Sequence, residues 1–192
     1  MVRIRLFGGV GATTDDGRRW TSGRRSARRC SRPLRCRLGP AVPVSRLVDL
    51  VWGEEPPRTA AKTLQSYVAR LRRGLGSNAV VRAGVAYRPD LPADAVDVAR
   101  FQRHLDAGDI GAALAEWTGT PLAGLDAAGL GAAVDGLVEQ WLGALENDLE
   151  RRVGTDPAAA VGPLTELTAN HPFREGLWAL LMTALYGYGT PG

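Results

Sequence analysis

The sequence predicts a mainly α-helical protein with two domains, and three observations support this. The chain has 192 residues, 45% hydrophobic and 23% charged, enough to bury a core in one or two domains of about 100 residues. Short period-2 patterns occur in its first half, whereas apolar residues at helical spacing run through the second. Residues 1–92 carry 19 Lys and Arg against 6 Asp and Glu, and residues 93–192 carry 5 against 14. We therefore predict one domain over 1–92 and an all-helical domain over 93–192.

Composition also narrows the class of protein. No run approaches the roughly 18 consecutive apolar residues of a membrane span, and the N-terminus lacks a secretory signal, so we expect a cytoplasmic protein. A structural zinc ion needs four Cys or His ligands; Cys30 and Cys36 are accompanied only by the distant His104 and His171, so we expect no metal and no cofactor. The basic half suggests a polyanionic partner, and two ordinary solvated surfaces are the alternative.

The first elements are short strands. Residues 2–6 (VRIRL) alternate apolar and basic side chains, which predicts a half-buried strand, and the turn-rich GGVGATTDDG follows. The stretch FGGVGA superficially resembles a phosphate-binding loop. Because no helix start follows it, no helix N-terminus is available to hold a phosphate. We interpret it as a hairpin turn.

Two helices come next. The first is predicted from Val44, with Ser45 as a possible cap, and ends at Gly53. The connector EEPPRT places Thr59 as an N-cap candidate before a second helix, AAKTLQSYVARLRRGLG, which ends at Gly74 or Gly76. Two short helices joined by a tight turn predict a helix-turn-helix.

The second helix has two different faces. At about 100° per residue, Leu64, Val68, Leu71 and Leu75 share one side, and small, polar and cationic residues cluster opposite. No acidic residue lies between Arg58 and Ser77, whereas a merely solvated face normally mixes charges. We therefore predict that this face docks in a DNA groove; an ordinary amphipathic surface helix is the alternative.

A hairpin after this helix completes the predicted interface. AVVRAGVAYRPDLP reads as two strands around Ala83-Gly84, at the position of the wing of a winged helix. Lys62, Ser66, Arg70 and Arg73 should face the major groove, and the wing should lie near the backbone or minor groove. The complete set of candidate DNA-binding residues is Thr59, Lys62, Thr63, Ser66, Arg70, Arg73, Arg82 and Arg88.

Helical spacing dominates the second half, with predicted helices over 96–106, 110–117, 137–153 and 173–188. We expect the aromatic residues to be core, His104 to face outward, and His171-Pro172 to start the last helix without a catalytic role. The last helix has the large-small alternation of tetratricopeptide-type hairpins. Because solenoids need a polar cap, its flank should drive self-association through Leu177, Leu181 or Leu185.

Two stretches carry a family resemblance. VPVSRLVDLVWGEEPPRTAAKTLQSYVARLRRGLG with AYRPDLP resembles the OmpR-type winged-helix domain of the Streptomyces antibiotic regulatory protein family, and EWTGTPLAGL with NHPFREGLWALLMTALY resembles the bacterial transcriptional activation domain that follows it, here apparently truncated. The resemblance implies an activator of a secondary-metabolite gene cluster that binds promoter direct repeats, as a homodimer, and contacts RNA polymerase. The alternative is a helical protein-interaction module with a degenerate DNA-binding domain; an enzyme is a third, weaker possibility.

One segment departs from the family pattern. Residues 18–37 hold nine Arg, both Cys and no acid, where the family has a third strand and an apolar first helix, and we expect them to form neither. We favour a local reading-frame shift in a GC-rich gene over a disordered basic arm; the excess charge of residues 1–92 would then fall from +13 to +4. Lacking that helix, the core side chains Leu47, Val51, Leu64, Val68 and Leu71 should be uncovered and specific DNA binding weak.

Overall fold

A computed structural model describes residues 2–14, 19–21, 41–124 and 128–189. These residues form a mainly helical protein with two small sheets. The strands are β1 (Val2–Arg5), β2 (Gly11–Thr14), β3 (Arg19–Thr21), β4 (Val42–Pro43), β5 (Val80–Ala83) and β6 (Ala86–Pro89). The α-helices are α1 (Val44–Trp52), α2 (Ala60–Leu75), α3 (Asp97–Asp106), α4 (Ile110–Glu116), α5 (Gly131–Thr155), α6 (Pro157–Asn170) and α7 (Glu175–Gly189).

The N-terminal sheet is antiparallel, in the order β1-β2-β3. Its first two strands confirm the hairpin predicted around the glycine-rich stretch. The third strand corrects our expectation for the Arg-rich segment: Trp20 pairs with Ala12 and Thr21 pairs with Gly11. A three-residue strand needs only backbone hydrogen bonds to β2, which side-chain composition does not forbid. The rest of that segment, with Cys30 and Cys36, lies outside the described residues.

The second sheet brackets the two predicted helices. Its order is β4-β6-β5, so the chain enters through β4, forms α1 and α2, and returns as the β5–β6 hairpin. Gly84 closes this hairpin at φ +60°, a left-handed conformation that favours glycine. The predicted hairpin and both helices are therefore confirmed. Gly53 and Gly76 end α1 and α2 with positive φ, as expected.

The helix starts differ in detail from the prediction. Pro43, rather than Ser45, is the N-cap of α1, because the chain leaves β4 directly into the helix. Thr59 is the N-cap of α2, as predicted, but its side chain makes no capping hydrogen bond. The threonine hydroxyl at the start of α2 is thus not committed to the helix.

The inner faces of α1 and α2 are closed, which corrects the expectation that they would be uncovered. Leu47 and Leu64 are fully buried, and Val51 is 8% exposed. The two helices pack on each other and on the second sheet. The buried side chains of the helices and of the sheet belong to one cluster, which includes Leu47, Leu64, Val68, Leu71, Val42, Val80 and Tyr87. The premise for weak DNA binding therefore does not hold in this structure.

Aromatic side chains join the N-terminal sheet to the helical half. The Phe7 ring lies 5.4 Å from the Phe101 ring and 4.5 Å from the Trp117 ring, between centroids, and Trp117 stacks on Trp141 at 4.9 Å. Phe7 and Phe101 are both fully buried. The main core therefore runs without interruption from β1 to α5, across the boundary that we predict after Pro92. That boundary stays a prediction.

A buried carboxylate strengthens the same junction. Asp97, at the start of α3, accepts hydrogen bonds from the backbone N–H groups of Leu6, Phe7 and Val98 at 2.8–3.0 Å. Burial raises the pKa of Asp97 above its ordinary value, and these N–H donors together with Arg100 oppose the shift. A residue of the second half thus satisfies two backbone donors of the first.

The glycine-rich turn has a packing role. The N–H of Gly8 donates to the carbonyl groups of Gly119 and Thr120, both at 3.0 Å. Gly8 has φ +69°, and an added Cβ would lie 3.3 Å from the Thr118 carbonyl oxygen. Because the two backbones approach this closely and φ is positive, glycine is strongly favoured there.

The C-terminal helices form a second core. Helices α5, α6 and α7 pack together around Leu149, Val153, Ala160, Leu164, Leu177, Leu181 and Ala184. We did not predict α6 as a separate helix. It begins with Pro157 and contains Pro163, so its helical signal is weak in the sequence.

The last helix corrects several expectations. His171 is the C-cap of α6, and α7 begins only at Glu175. Leu177 and Leu181 are buried core rather than an open flank, whereas Phe173 is 97% exposed, contrary to the expectation that the aromatics are core. Helix α7 is apolar on every side, so the sequence alone could not say which side is buried.

His104 is half-buried rather than facing outward.

In the described residues, no helix is long and apolar enough to cross a membrane. Nor do these parts of the chain contain a group of three His, Cys, Asp or Glu side chains that could hold a metal ion.

Candidate nucleic-acid interface

Helix α2 presents the candidate residues on one continuous exposed surface. Lys62, Ser66, Arg70 and Arg73 are all exposed, while Leu64, Val68, Leu71 and Leu75 on the opposite side are buried. Successive members of the exposed row are three or four residues apart, about one helical turn, so they can face the same partner. The structure therefore brings together the four residues that we predict to face the major groove.

The two threonines lie at the beginning of this surface. Thr59 is exposed, and its carbonyl accepts the first helical hydrogen bond, from the N–H of Thr63 at 2.9 Å. Thr63 itself is half-buried. The Ser66 hydroxyl donates to the Lys62 carbonyl at 3.2 Å, and its oxygen remains able to accept a further hydrogen bond.

Two contacts fix the orientation of α2. Tyr67 stacks on Trp52 at the end of α1, with ring centroids 6.2 Å apart and an angle of 15° between the planes. On the other side, the Arg72 Nε donates to the Val80 carbonyl at 2.7 Å and ties α2 to β5. Arg72 is half-buried. These contacts hold the exposed row of α2 in a fixed relation to both α1 and the hairpin.

The hairpin carries the remaining two candidates, on opposite faces. Arg82 pairs with Tyr87 across the strands, and Arg88 is the next residue after Tyr87. Because side chains alternate along a strand, Arg82 and Arg88 point to opposite sides. Arg82 donates from Nε to the Gly84 carbonyl at 3.0 Å, and Arg88 lies 3.7 Å from Asp90. The two arginines therefore lie on different sides of the hairpin, and their contact with DNA stays a prediction.

The electrostatics of α2 are those of an unneutralised cationic face. Lys62, Arg70 and Arg73 form no ion pair with any described residue, and α2 itself contains no acid. Exposed cations without nearby carboxylates are available to a polyanion. The arrangement can hold phosphate oxygens and base edges; among the described residues it offers no nucleophile-base pair for catalysis.

Sequence reasoning missed two residues of this region. Arg72 lies about 80° from Leu64 on the helix, close to the buried side, and only the structure shows that it positions the hairpin. Gln65 lies about 100° from Leu64 around the helix axis, and it is exposed. The signal that could have found it is its polar amide directly beside Ser66, on a helix without acids.

Comparison with known proteins gives a consistent result. The family model described as "Bacterial transcriptional activator domain" matches residues 96–192. The regulatory protein DnrI of Streptomyces peucetius is 34% identical over 183 residues, which cover 81% of this chain and 67% of DnrI. The regulatory protein AfsR of Streptomyces griseus is 35% identical over 176 residues, which cover 81% of this chain but only 18% of AfsR.

A solved structure matches the fold as well. The structure of Mycobacterium tuberculosis EmbR in complex with a low-affinity phosphopeptide superposes with a TM-score of 0.88 and 29% sequence identity, covering 96% of this chain and 54% of that chain. The structural match covers 96% of this chain and therefore includes residues of both halves. The chain belongs to the Streptomyces antibiotic regulatory protein family of transcriptional regulators.

Proposed function

We propose that this chain is a sequence-specific DNA-binding activator of a biosynthetic, secondary-metabolite gene cluster. In this proposal residues 1–92 form an OmpR-type winged-helix domain, α2 is the recognition helix, and the β5–β6 hairpin is the wing. The helices that follow form a tetratricopeptide-like activation domain. The protein acts in the cytoplasm, where its promoter lies.

One observation carries the proposal: α2 buries its apolar face against α1 and the second sheet and leaves an exposed row of cations that have no acidic partner among the described residues. A helix held in this way has the dimensions to enter the major groove. Cationic side chains supply the phosphate contacts that dominate DNA affinity. The family of the chain supports a promoter as the target.

The finer parts of the proposal rest on the family. They are binding to direct repeats, contact with RNA polymerase through the helical half, and a homodimer on DNA. For self-association, the structure offers an exposed apolar row on α7, formed by Trp178, Met182 and Leu185, in place of the buried Leu177 and Leu181. An apolar patch of this kind is typical of a protein contact.

Self-association can be tested separately from DNA binding. Replacing the exposed Met182 by Glu should give a folded chain with reduced self-association, measured by analytical ultracentrifugation. Replacing Leu181, which is 8% exposed, should instead lower the melting temperature. A wild-type chain that is monomeric at high concentration contradicts this part of the proposal.

Footprinting of the full chain on the promoters of its own gene cluster tests the main proposal. We expect protection of evenly spaced direct repeats, lost when Arg70 and Arg73 are both replaced by Ala. If no promoter is protected while the chain still captures a protein partner, the alternative of an interaction module with a degenerate DNA-binding domain replaces it.

A further inference from the structure

The exposed surface of α2 consists of two rows with different chemistry. One row is polar and cationic and contains the four residues described above. The other begins with three uncharged residues: Ala61, Gln65 and Ala69 follow one another at four-residue spacing, and all three are exposed; Arg73 is the next residue at this spacing. Residues four apart lie on the same side of a helix, about 6 Å apart along its axis. Gln65 is therefore a single amide between two methyl groups.

The neighbours of Gln65 leave its amide available. Its side chain makes no hydrogen bond to any residue that the structure describes. Arg72, which lies on the same side of α2, is held by the Val80 carbonyl and is half-buried. Arg73 lies eight residues after Gln65, about 12 Å along the helix axis, so it does not compete with the Gln65 amide for the same base.

We propose that Gln65 reads an A·T base pair in the major groove, an inference that rests on the proposed role of α2 in DNA binding. The amide oxygen accepts from the adenine N6 amino group, and the amide nitrogen donates to adenine N7. Glutamine is suited to this pair of contacts because it carries one donor and one acceptor on a planar group. Guanine presents two acceptors, N7 and O6, at the corresponding positions, so it cannot form this pair of contacts with one amide.

The alanines on either side fit the same role. Ala61 and Ala69 lack side-chain atoms beyond Cβ, so they allow the helix backbone to approach the base edges. Their methyl groups are suited to contact with a thymine methyl. Gln65 also lies in the second turn of α2, the N-terminal part of the helix that contacts base edges in helix-turn-helix proteins.

Two contributions to binding are thereby assigned to two rows. The cationic row contributes phosphate contacts and general affinity, which decline with salt. The uncharged row contributes discrimination between bases and adds no counterion release. A variant at Gln65 should therefore change which sequences are bound but not the salt dependence of binding.

The test is selection of binding sites from a random duplex library with the full chain, followed by titration of the selected site. Wild type should prefer A·T at one position of each repeat of the selected site, by about 5- to 150-fold over other base pairs. The variant Gln65→Ala should lose the preference at that position and keep the preferences at the others. Gln140→Ala, which alters an exposed amide on α5, is the matched control and should behave as wild type.

A modified base sharpens the test. Replacing the selected adenine by 7-deazaadenine removes N7 and leaves pairing with thymine intact. The modification should lower the DNA affinity of wild type and of the Gln140→Ala control, and should leave the DNA affinity of Gln65→Ala unchanged. Circular dichroism should show unchanged helix content in Gln65→Ala, since alanine is the better helix former.

The outcomes separate the two proposals. If Gln65→Ala selects the same sequences as wild type, or loses affinity for all sequences alike, Gln65 does not read a base and the inference is wrong, while DNA binding by α2 stands. If wild type selects no sequence at all, the proposed function fails first and the assignment of Gln65 fails with it.

Discussion

The arginines of the two halves differ in their electrostatic surroundings. In the helical half, Arg100 binds Glu116 at 2.7 Å, Arg151 and Arg152 bind Asp148, and Arg174 binds Glu139 and Glu146. In the first half, among the described residues, only Arg88 forms an ion pair, with a 3.7 Å separation. Most arginines of the helical half are thus neutralised by carboxylates, whereas most of those described in the first half have no carboxylate partner among the described residues.

The difference shows why total charge is a poor guide to function. A paired arginine contributes to packing and is already neutralised, whereas an unpaired one retains its attraction for phosphate. Even if the Arg-rich segment is set aside, the exposed row on α2 keeps its unneutralised charge. The distribution of partners, rather than the sum of charges, distinguishes the two halves.

The largest effect is expected from removing the unpaired charges. Replacing Lys62, Arg70 and Arg73 together by Ala should lower DNA affinity by at least about 100-fold, since each contact of this type is worth about 1 to 3 kcal/mol. Thermal stability should change little, because exposed substitutions alter the free energy of unfolding by only about 0.5 kcal/mol. Titration with labelled duplex and thermal melting measure the two effects; DNA affinity equal to wild type would mean that the face is assigned wrongly.

Next in size is the junction between the halves. Asp97→Asn leaves at least one of the buried backbone N–H groups of Leu6, Phe7 and Val98 without an acceptor. We expect a loss of about 3 kcal/mol in the free energy of unfolding, measured in denaturant. Asp94→Asn, at a nearby exposed residue, is the control and should be close to neutral. Equal midpoints for both variants would show that the junction does not depend on this carboxylate.

A paired arginine should behave in the opposite way to those of α2. Arg174 donates to Glu146 from Nε at 2.7 Å and to Glu139 from Nη1 at 2.6 Å, which raises its pKa. Arg174→Ala should cost about 2 kcal/mol of stability with DNA affinity unchanged. Arg103→Ala, at an exposed position outside the ion pairs of the described residues, should change neither. A stable Arg174→Ala chain that binds DNA poorly would contradict the comparison.

The smallest effect is a dependence of stability on pH. The hydrogen bond from Arg100 lowers the pKa of Glu116 below its ordinary value of 4.5. The unfolded chain then binds more protons than the folded one just below pH 4.5, so this contribution is present above that pH and is lost as the pH falls through the folded pKa. Acid titration of stability should therefore be flatter in Glu116→Gln. An identical acid transition in both proteins would contradict this role of the pair.

The sequence predicted local structure well where single residues set it. Gly53 and Gly76 end their helices as expected, because glycine alone adopts positive φ without cost. The buried and exposed sides of α2 follow from its spacing, since its apolar and polar residues separate cleanly. For the same reason most of the candidate site could be predicted before the structure.

Prediction failed where distant or ambiguous contacts decide. The carboxylate of Asp97 binds backbone N–H groups that are about 90 residues away in the sequence. No local sequence pattern predicts such a contact. Helix α7 is apolar all round, so Leu181 was placed on the wrong side. Strand β3 depends on backbone pairing with β2, which the composition of the Arg-rich segment does not reveal.

The central claim is that the cations of α2, which have no acidic partner among the described residues, bind DNA, and salt dependence tests this claim most directly. The affinity of wild type and of the Lys62, Arg70 and Arg73 triple Ala variant for one selected duplex should be measured between about 50 and 200 mM salt. If all three contact phosphate, the slope of log affinity against log salt should be shallower in the variant by about 2.7, and by about 0.9 for each residue that does so. Equal slopes together with equal affinities would show that α2 is not the DNA-binding surface.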